Sequence, residues 1–343
     1  MAQRILVVIP TLNEARTIAR VLSELSRDLP STAVTTFVVA DGGSTDGTTE
    51  VVGAIQRQRP ELRLMQNPER IQAAAVNAAA RRYGQDADVL VRCDAHAGYP
   101  SGFVRGVIET LERTGADSVV VPMDSSGETC LQKAVAWVSD TPLGSGGSAH
   151  RGGHRSGFVD HGHHAAFRMG RFRDVGGYDQ TFTHNEDAEL DCRLRAIGAK
   201  IYLDADIRVV YRPRATFSGL WRQYFAYGRG RSRTVRRHPG SIRARQLAVP
   251  LHLALCVLAV VVAAWLPLLL WWPALYLALL GVASVGLAVR HRAACGLLAG
   301  PAACVMHLAW ATGFYWGLLC RREQRWRGAI TGLPQANHLG GSA

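Results

Sequence analysis

The chain has 343 residues, with 39 lysines and arginines against 27 aspartates and glutamates, a formal charge of +12. The excess is one-sided: from Ile207 to the C-terminus only Glu323 is acidic, among many arginines and long apolar runs, which excludes an evenly charged soluble protein and calls for an anionic partner. The seven cysteines lack CxxC spacing and three of them (Cys256, Cys295, Cys304) lie in apolar runs, so the sequence argues against a zinc or disulfide framework and fits a reducing compartment.

Taken in chain order, the first 206 residues alternate strand-like and helix-like segments. "ILVVIP" is too short for an apolar targeting core and is broken by Pro10, so no cleavable signal is expected. Instead "RILVVIP" (4 to 10) is a continuous apolar run, the mark of a strand covered on both faces. Asn13 and Glu14 open a helical stretch with Ile18, Val21, Leu22 and Leu25 on one face. "TTFVVA" predicts a second strand, Thr48 to Gln58 a helix, "LRLMQN" a third strand and "RIQAAAVNAAARRY" an alanine-rich helix. "DVLVRCDAH" predicts a fourth strand ending in polar residues, followed by a helix near 101 to 114 and the strand "SVVVPM". "HNEDAELDCRLRAIG" (184 to 198) reads as a helix from the spacing of Leu190, Leu194 and Ile197. This order predicts an α/β domain with a mostly parallel sheet, in which ligands sit at the carboxyl ends of the strands. Those ends carry Thr11 and Asn13, then Asp41 and Ser44, then Asp94 and His96.

The remainder has a different character. Leu247 to Val289 holds no Asp, Glu, Lys or Arg over 43 residues. As one helix it would be about 64 Å long, roughly twice the apolar thickness of a bilayer. A hairpin of two spans is therefore expected, reversing at "WLPLLLWWP", with the arginines of 208 to 245 and "RHR" together on the cytoplasmic side. Long basic apolar runs of this kind point to a membrane surface rather than to nucleic acid. Ala293 to Leu319 is a third apolar stretch, long enough for one tilted span; whether it spans or re-enters is open. The resulting division is 1–206 as a cytoplasmic domain, 207–246 as a basic amphipathic interfacial segment, 247–320 as transmembrane helices and 321–343 as a basic tail. The protein is thus expected to be multi-pass in the inner (cytoplasmic) membrane, its N-terminal domain facing the cytoplasm. In "FSGLWRQYFAYGRGR", Phe217, Trp221, Tyr224 and Phe225 share a broad helical face with arginines interleaved, which suits a helix lying in the interface.

Four loops carry candidate chemistry. "DGGSTDGTTEVV" (41 to 52) fails as a calcium loop, because its third and twelfth places are Gly43 and Val52. Its glycines admit close approach of a ligand and it precedes a helix N-terminus, where anions are favoured. The patterns GxGxxG and GxxxxGK are both absent. "DAH" (94 to 96) sets a carboxylate and an imidazole two residues apart, a spacing suited to a loosely held Mg²⁺ or, given the imidazole, Mn²⁺. Glu186 and Asp187 at a helix start complement its dipole, yet a Gly-Gly-Tyr-Asp loop delivers them. "DHGHH" (160 to 164) allows at most alternate histidines, such as His161 and His163, to share a face, and HExxH is missing.

Together "VVIPTLNE", "VADGGSTDGT", "DAH" and "GGYDQTFTHNEDAELDCRLRAIG" resemble the family 2 inverting glycosyltransferases of the GT-A fold, in order and spacing, from Ile5 to about Gly198. "PERIQAAAVN", "LVRCDAHAGYP", "GSGGSAHR", "SGFVDHGHHAAFR" and "WRQYFAYGRGRSRTV" further resemble the succinoglycan-type membrane glucosyltransferases. The resemblance implies a nucleotide-diphospho-sugar transferase fold followed by a helical transmembrane region. It implies that Pro10, Thr11, Glu14 and Ser44 line the nucleotide pocket of a UDP-sugar, with Asp41 accepting a base N–H. Asp94 and His96 stand where the family has its DxD pair and would hold a divalent cation and the diphosphate. Asp187 would be the general base, and His164 would lie near the donor sugar. Glu186, Gln223, Tyr227, Gly228, Arg229 and Arg231 would lie on the acceptor side, the last two with Arg222 receiving a polyprenyl-diphosphate-linked saccharide. His96 departs from the usual second Asp, and Tyr211 falls near where some relatives carry a further histidine, which leaves His161 and His184 as candidates for the third metal ligand. Two other functions compete: a membrane-anchored metal-dependent hydrolase using His161 to His164, and a catalytically silent binding subunit.

Overall fold

A computed structural model of the chain describes residues 2–146 and 155–320. Most of "GSGGSAHR" and all of the basic tail lie outside the described residues. The chain falls into two compact units, 2–121 with 155–207 and 122–146 with 208–320.

In chain order the elements are β1 (Arg4–Thr11), α1 (Ile18–Leu25), β2 (Val34–Asp41), α2 (Thr48–Gln56), β3 (Leu62–Gln66), α3 (Gln72–Tyr83), β4 (Val89–Arg92), α4 (Phe103–Thr114) and β5 (Ser118–Val121). There follow β6 (Met123–Ser125), α5 (Cys130–Ser139), α6 (Pro142–Ser145), β7 (Gly157–Phe158), β8 (His163–Arg168), α7 (Met169–Asp174), α8 (Glu186–Ala196) and β9 (Ile201–Leu203). The last are β10 (Val209–Tyr211), α9 (Phe217–Arg237), α10 (Ala244–Val261), α11 (Trp271–Arg290) and α12 (Ala299–Leu319).

The first unit is built on an eight-stranded sheet in the order β3-β2-β1-β4-β8-β5-β9-β7. β3, β2, β1 and β4 run parallel, β8 is antiparallel between β4 and β5, β9 is parallel to β5, and β7 closes the edge antiparallel. The apolar runs that predicted buried strands are buried: Ile5 to Ile9 and Phe37 to Ala40 are at most 2 % exposed. On one face Leu6, Val8, Val38 and Leu90 pack with Val76, Phe167, Phe172, Tyr178, Leu190 and Leu194.

Two local expectations are corrected, and a third, the helix over 184 to 198, is met with one residue left out of its packing. α1 begins at Ile18, because Asn13 takes a left-handed conformation (φ 57°) and the Glu14 carbonyl accepts from Thr17 and Ile18 in a tight turn. The apolar spacing that predicted α8 is only partly used in packing: Leu190 and Leu194 are buried, while Ile197 is 40 % exposed past the helix end. Cys130 and Cys295 are joined in a disulfide across 165 positions, against the expectation of no disulfide framework, and five free cysteines are found among the described residues. Spacing along the chain could not show a pair that only folding brings together.

The second unit pairs β6 with β10 and carries the helices. α5 opens with a capping box between Thr129 and Gln132 and packs Leu131, Ala134, Val135 and Val138 against Leu280, Leu287, Ala302 and Met306. α9 lies along α12 with backbones in close approach: a Cβ on Gly228 would overlap the Trp310 carbonyl, and one on Gly313 the Phe225 carbonyl. Three helical stretches, Ala244–Val261, Pro267–Arg290 and Ala294–Leu319, are long and apolar enough to cross a membrane. The first two are 11 % buried and the third 44 %, as expected if α12 packs on protein and the hairpin on lipid.

Candidate active site

The parallel strands end in register, Thr11 of β1 beside Asp41 of β2. The loop after β2 is then fixed from both sides. Gly42 N–H donates to the Thr11 carbonyl (2.8 Å) and Asn67 N–H to the Asp41 carbonyl (2.7 Å). The Asp41 carboxylate accepts from Gly43 N (2.9 Å), Ser44 N (3.0 Å) and Ser44 Oγ (2.5 Å), a turn for which Gly43 supplies φ 87°. Ser44 Oγ accepts from Asn13 N, and Asn13 Oδ1 from Thr45 N, so the loops after β1 and β2 are sewn together. Thr11 turns its hydroxyl onto the Ile9 carbonyl, and Pro10 is half-buried beside it.

β4 sets the centre. Strand residues two apart share a face, so Leu90, in the apolar cluster beneath α3 and α8, is followed on that face by Arg92 and then, beyond the strand, by Asp94. Arg92 is 5 % exposed, and its guanidinium donates to Asp94 Oδ1 (3.1 Å) and Asp187 Oδ2 (3.3 Å). Asp187 Oδ1 accepts from the Tyr178 hydroxyl (3.0 Å), and Asp94 Oδ1 also accepts from Gln72 Nε2 (3.0 Å). Tyr178 is itself locked by Asn77, which accepts from its N–H and donates to its carbonyl. Asp187 and Glu186 open α8 behind Asn185, which adopts φ 68°. Asparagine tolerates this left-handed geometry better than most residues.

The charges answer to these contacts. Burial works against the Asp187 carboxylate, but Arg92, then His164 and His163, outweigh it and hold its pKa below the usual range. The Asp94 carboxyl is lowered for the same reason, with burial opposing and Arg92 the main support. Burial and the neighbouring Asp187 push Glu186 up to about 7. Two adjacent carboxyls thus behave oppositely, one an ionised acceptor and one proton-sharing near neutrality.

The histidines disperse. His161 Nδ1 and His164 Nε2 both face Asp191 (2.6 and 2.8 Å), while His164 Nδ1 meets Ser118 Oγ (3.1 Å). His164 is 1 % exposed and stacks on Phe167. His161 precedes β8 and so does not alternate with His163, whose Nε2 stands 3.5 Å from Asp94 Oδ2. His96 pairs through Nδ1 with Glu14 Oε1 (2.9 Å), and His184 contacts Thr183. Among the described residues no three His, Cys, Asp or Glu side chains are gathered to hold an ion. The Asp94 carboxylate with the His163 imidazole beside its Oδ2 nevertheless fits a cation whose other positions belong to substrate phosphates.

In the second unit Gln223 Nε2 donates to the hydroxyls of Tyr211 (2.7 Å) and Tyr227 (3.0 Å). Arg231, 8 % exposed, reaches Gln246 Oε1 (2.8 Å) and the Ser241 carbonyl, and Arg229 is exposed. Gly228 sits at the α9–α12 contact.

The model of glycosyl transferase family 2 matches residues 6–176. The succinoglycan biosynthesis protein ExoA of Rhizobium meliloti (strain 1021) is 42 % identical over 324 residues, 93 % of this chain and 96 % of the relative. The chain belongs to glycosyltransferase family 2. It is a glycosyltransferase, with a mostly parallel sheet of the GT-A type and C-terminal helices apolar enough to span a membrane. This family 2 chain is also 24 % identical over 245 residues, 67 % of its own length and 74 % of the relative, to a dolichyl N-acetyl-α-D-glucosaminyl phosphate 3-β-D-2,3-diacetamido-2,3-dideoxy-β-D-glucuronosyltransferase of Methanococcus voltae. Among solved structures, the mannosyltransferase PcManGT of Pyrobaculum calidifontis, in complex with GDP-Man and Mn²⁺, matches with a TM-score of 0.58 at 22 % identity, covering 90 % of this chain and 88 % of that one.

The sequence motifs assign no role to Arg92, Tyr178, Asn77 or Asp191, and they do not tie His163 to Asp94. Arg92 had a visible signal, a charge at the end of a buried strand two residues before a site aspartate. Tyr178 and Asp191 had none, since both act through neighbours that only the fold brings close.

Proposed function

We propose that the protein is a membrane-bound inverting glycosyltransferase that moves a hexose, glucose by the resemblance of its sequence motifs to succinoglycan-type glucosyltransferases, from a UDP-sugar to a polyprenyl-diphosphate-linked saccharide in exopolysaccharide assembly. The observation that carries this reading is the Asp187 carboxylate, held between Arg92 and Tyr178 at a helix N-terminus with its charge retained. A carboxylate so fixed takes the proton from an acceptor hydroxyl as that oxygen attacks the anomeric carbon opposite the departing diphosphate, which inverts the configuration. Asp41, Thr11, Pro10, Glu14 and Ser44 bind the uridine side of the donor, and the loop of Gly42 and Gly43 lets the backbone approach it. Asp94, with His96 or His163, would hold a divalent cation; when bound, that ion neutralises the leaving diphosphate. The lipid-linked acceptor is supported by the three apolar helices and by the names of both relatives, one a succinoglycan protein and one acting on a dolichyl-linked sugar phosphate. Gln223, Tyr227, Gly228, Arg229 and Arg231 form the acceptor side of this reading.

The test is to supply membranes containing the protein with a panel of nucleotide sugars, with and without Mn²⁺, and with lipid-linked or water-soluble acceptors. Metal-dependent transfer from UDP-glucose to the lipid-linked acceptor, with the anomeric configuration inverted, is the expected result. Equal transfer to the soluble acceptor removes the lipid part, and retained configuration removes the role of Asp187.

A further inference from the structure

We propose that Arg92 is a positioning residue for the transfer: its buried guanidinium ties the Asp187 carboxylate to the Asp94 carboxylate and thereby fixes the proton acceptor relative to the donor diphosphate. This rests on the reading of Asp187 as base and adds to it a device that joins the base to the donor side. The two carboxylates come from separate elements, one just past β4 and one in the first turn of α8, and among the described residues no backbone hydrogen bond between those elements sets their spacing. One side chain does. Arg92 reaches Asp94 from Nη2 and Asp187 from Nη1, while its Nε finds no partner among the described residues.

A contribution to stability alone accounts poorly for this residue. A guanidinium that is 5 % exposed is strongly desolvated, and buried ion pairs are often replaced by apolar side chains without loss of stability. What an apolar residue cannot supply is the planar fork, whose two terminal nitrogens diverge toward two acceptors in a fixed geometry. A lysine cannot either, because its ammonium is a compact point charge on a flexible stem, without the fixed geometry of the fork. Removing the fork also leaves Asp94, Asp187 and Glu186 facing one another without the central cation, so the base is freed to swing away. Tyr178 holds only one of its oxygens.

The experiment compares Arg92→Lys, Arg92→Met, Asp187→Asn and the double variant Arg92→Lys/Asp187→Asn in the full-length membrane-embedded protein. For Arg92→Lys the expected result is a kcat lower by about 10- to 100-fold, the scale of an ångström-sized misplacement. KM for the donor and equilibrium binding of UDP should stay within about threefold, with a melting temperature near that of the wild type. In the Asp187→Asn background the lysine substitution should cost nothing further, since a residue acting through Asp187 has no target left. Wild-type kcat in Arg92→Lys overturns the proposal, as does a loss of UDP binding in step with kcat or a full additive loss in the double variant. Arg92→Met, if it folds, should fall at least as far in kcat as the lysine variant; full activity there also overturns it. The two readings fail differently. Wild-type turnover of Asp187→Asn removes the base assignment, whereas an inactive Asp187→Asn beside a fully active Arg92→Lys removes only the positioning role.

Discussion

Asp187 and Asp191 lie one helical turn apart on α8 and do different work. Asp187 is braced by Arg92 and Tyr178, and Asp191 by His161 and His164. Asp187→Asn keeps the shape and removes the proton acceptor, so kcat should fall by about 10²- to 10⁴-fold, with UDP binding unchanged, as read by initial rates and calorimetry. Asp191 makes a claim on stability instead. Burial opposes its charge, but His164 and His161 prevail and bring its carboxyl down to about 2. The unfolded value is near 4, so the folded chain gains from this group above about pH 4 and loses that gain as pH falls toward 2, a total of order 2 kcal/mol. Asp191→Asn should therefore lower the melting temperature at pH 7, and its gap from the wild type should narrow as the pH is taken below 4. A gap independent of pH would place the stabilisation outside the ion pair.

At the scale of elements, the α9–α12 pair depends on missing side chains. Alanine usually favours a helix over glycine by about 1 kcal/mol, yet at Gly228 the added carbon meets the Trp310 carbonyl, a backbone atom that cannot turn aside. Gly228→Ala should thus destabilise by about 1–3 kcal/mol, measured as thermal unfolding in detergent, while Gly240→Ala, where a Cβ meets nothing within 4 Å, should be near neutral. The tie between α5 and the turn before α12 is covalent, through Cys130 and Cys295. Denatured without reductant, the protein should alkylate at five of its seven cysteines and at all seven after reduction, counted by mass. Seven modified residues in both samples would show that the bridge is not formed in the isolated protein.

At the scale of the whole molecule, two sources of membrane affinity are separable. The basic residues that follow Ile207 favour an anionic surface and are screened by salt, while the three apolar helices are not. Membranes washed at high salt and alkaline pH should retain the protein, and detergent should release it. Release by salt alone would reduce the anchor to electrostatics.

Much of the first unit was legible because its signals are local. A strand buried on both faces needs an unbroken apolar run, as in Ile5 to Ile9, and a loop that must bend sharply at a strand end needs residues such as Gly42, Gly43 and Asp41. The long uncharged stretch from Leu247 to Val289 declared its helices for the same reason, since no soluble surface tolerates it. What the sequence could not determine were pairings between distant residues: Arg92 with Asp187, His161 and His164 on one aspartate with His163 turned to another, Cys130 with Cys295, and the joining of 122–146 to the helices after 208. Each depends on the direction in which a side chain leaves a packed element, and that direction is set by what the element is packed against, a fact that exists only once the chain has folded.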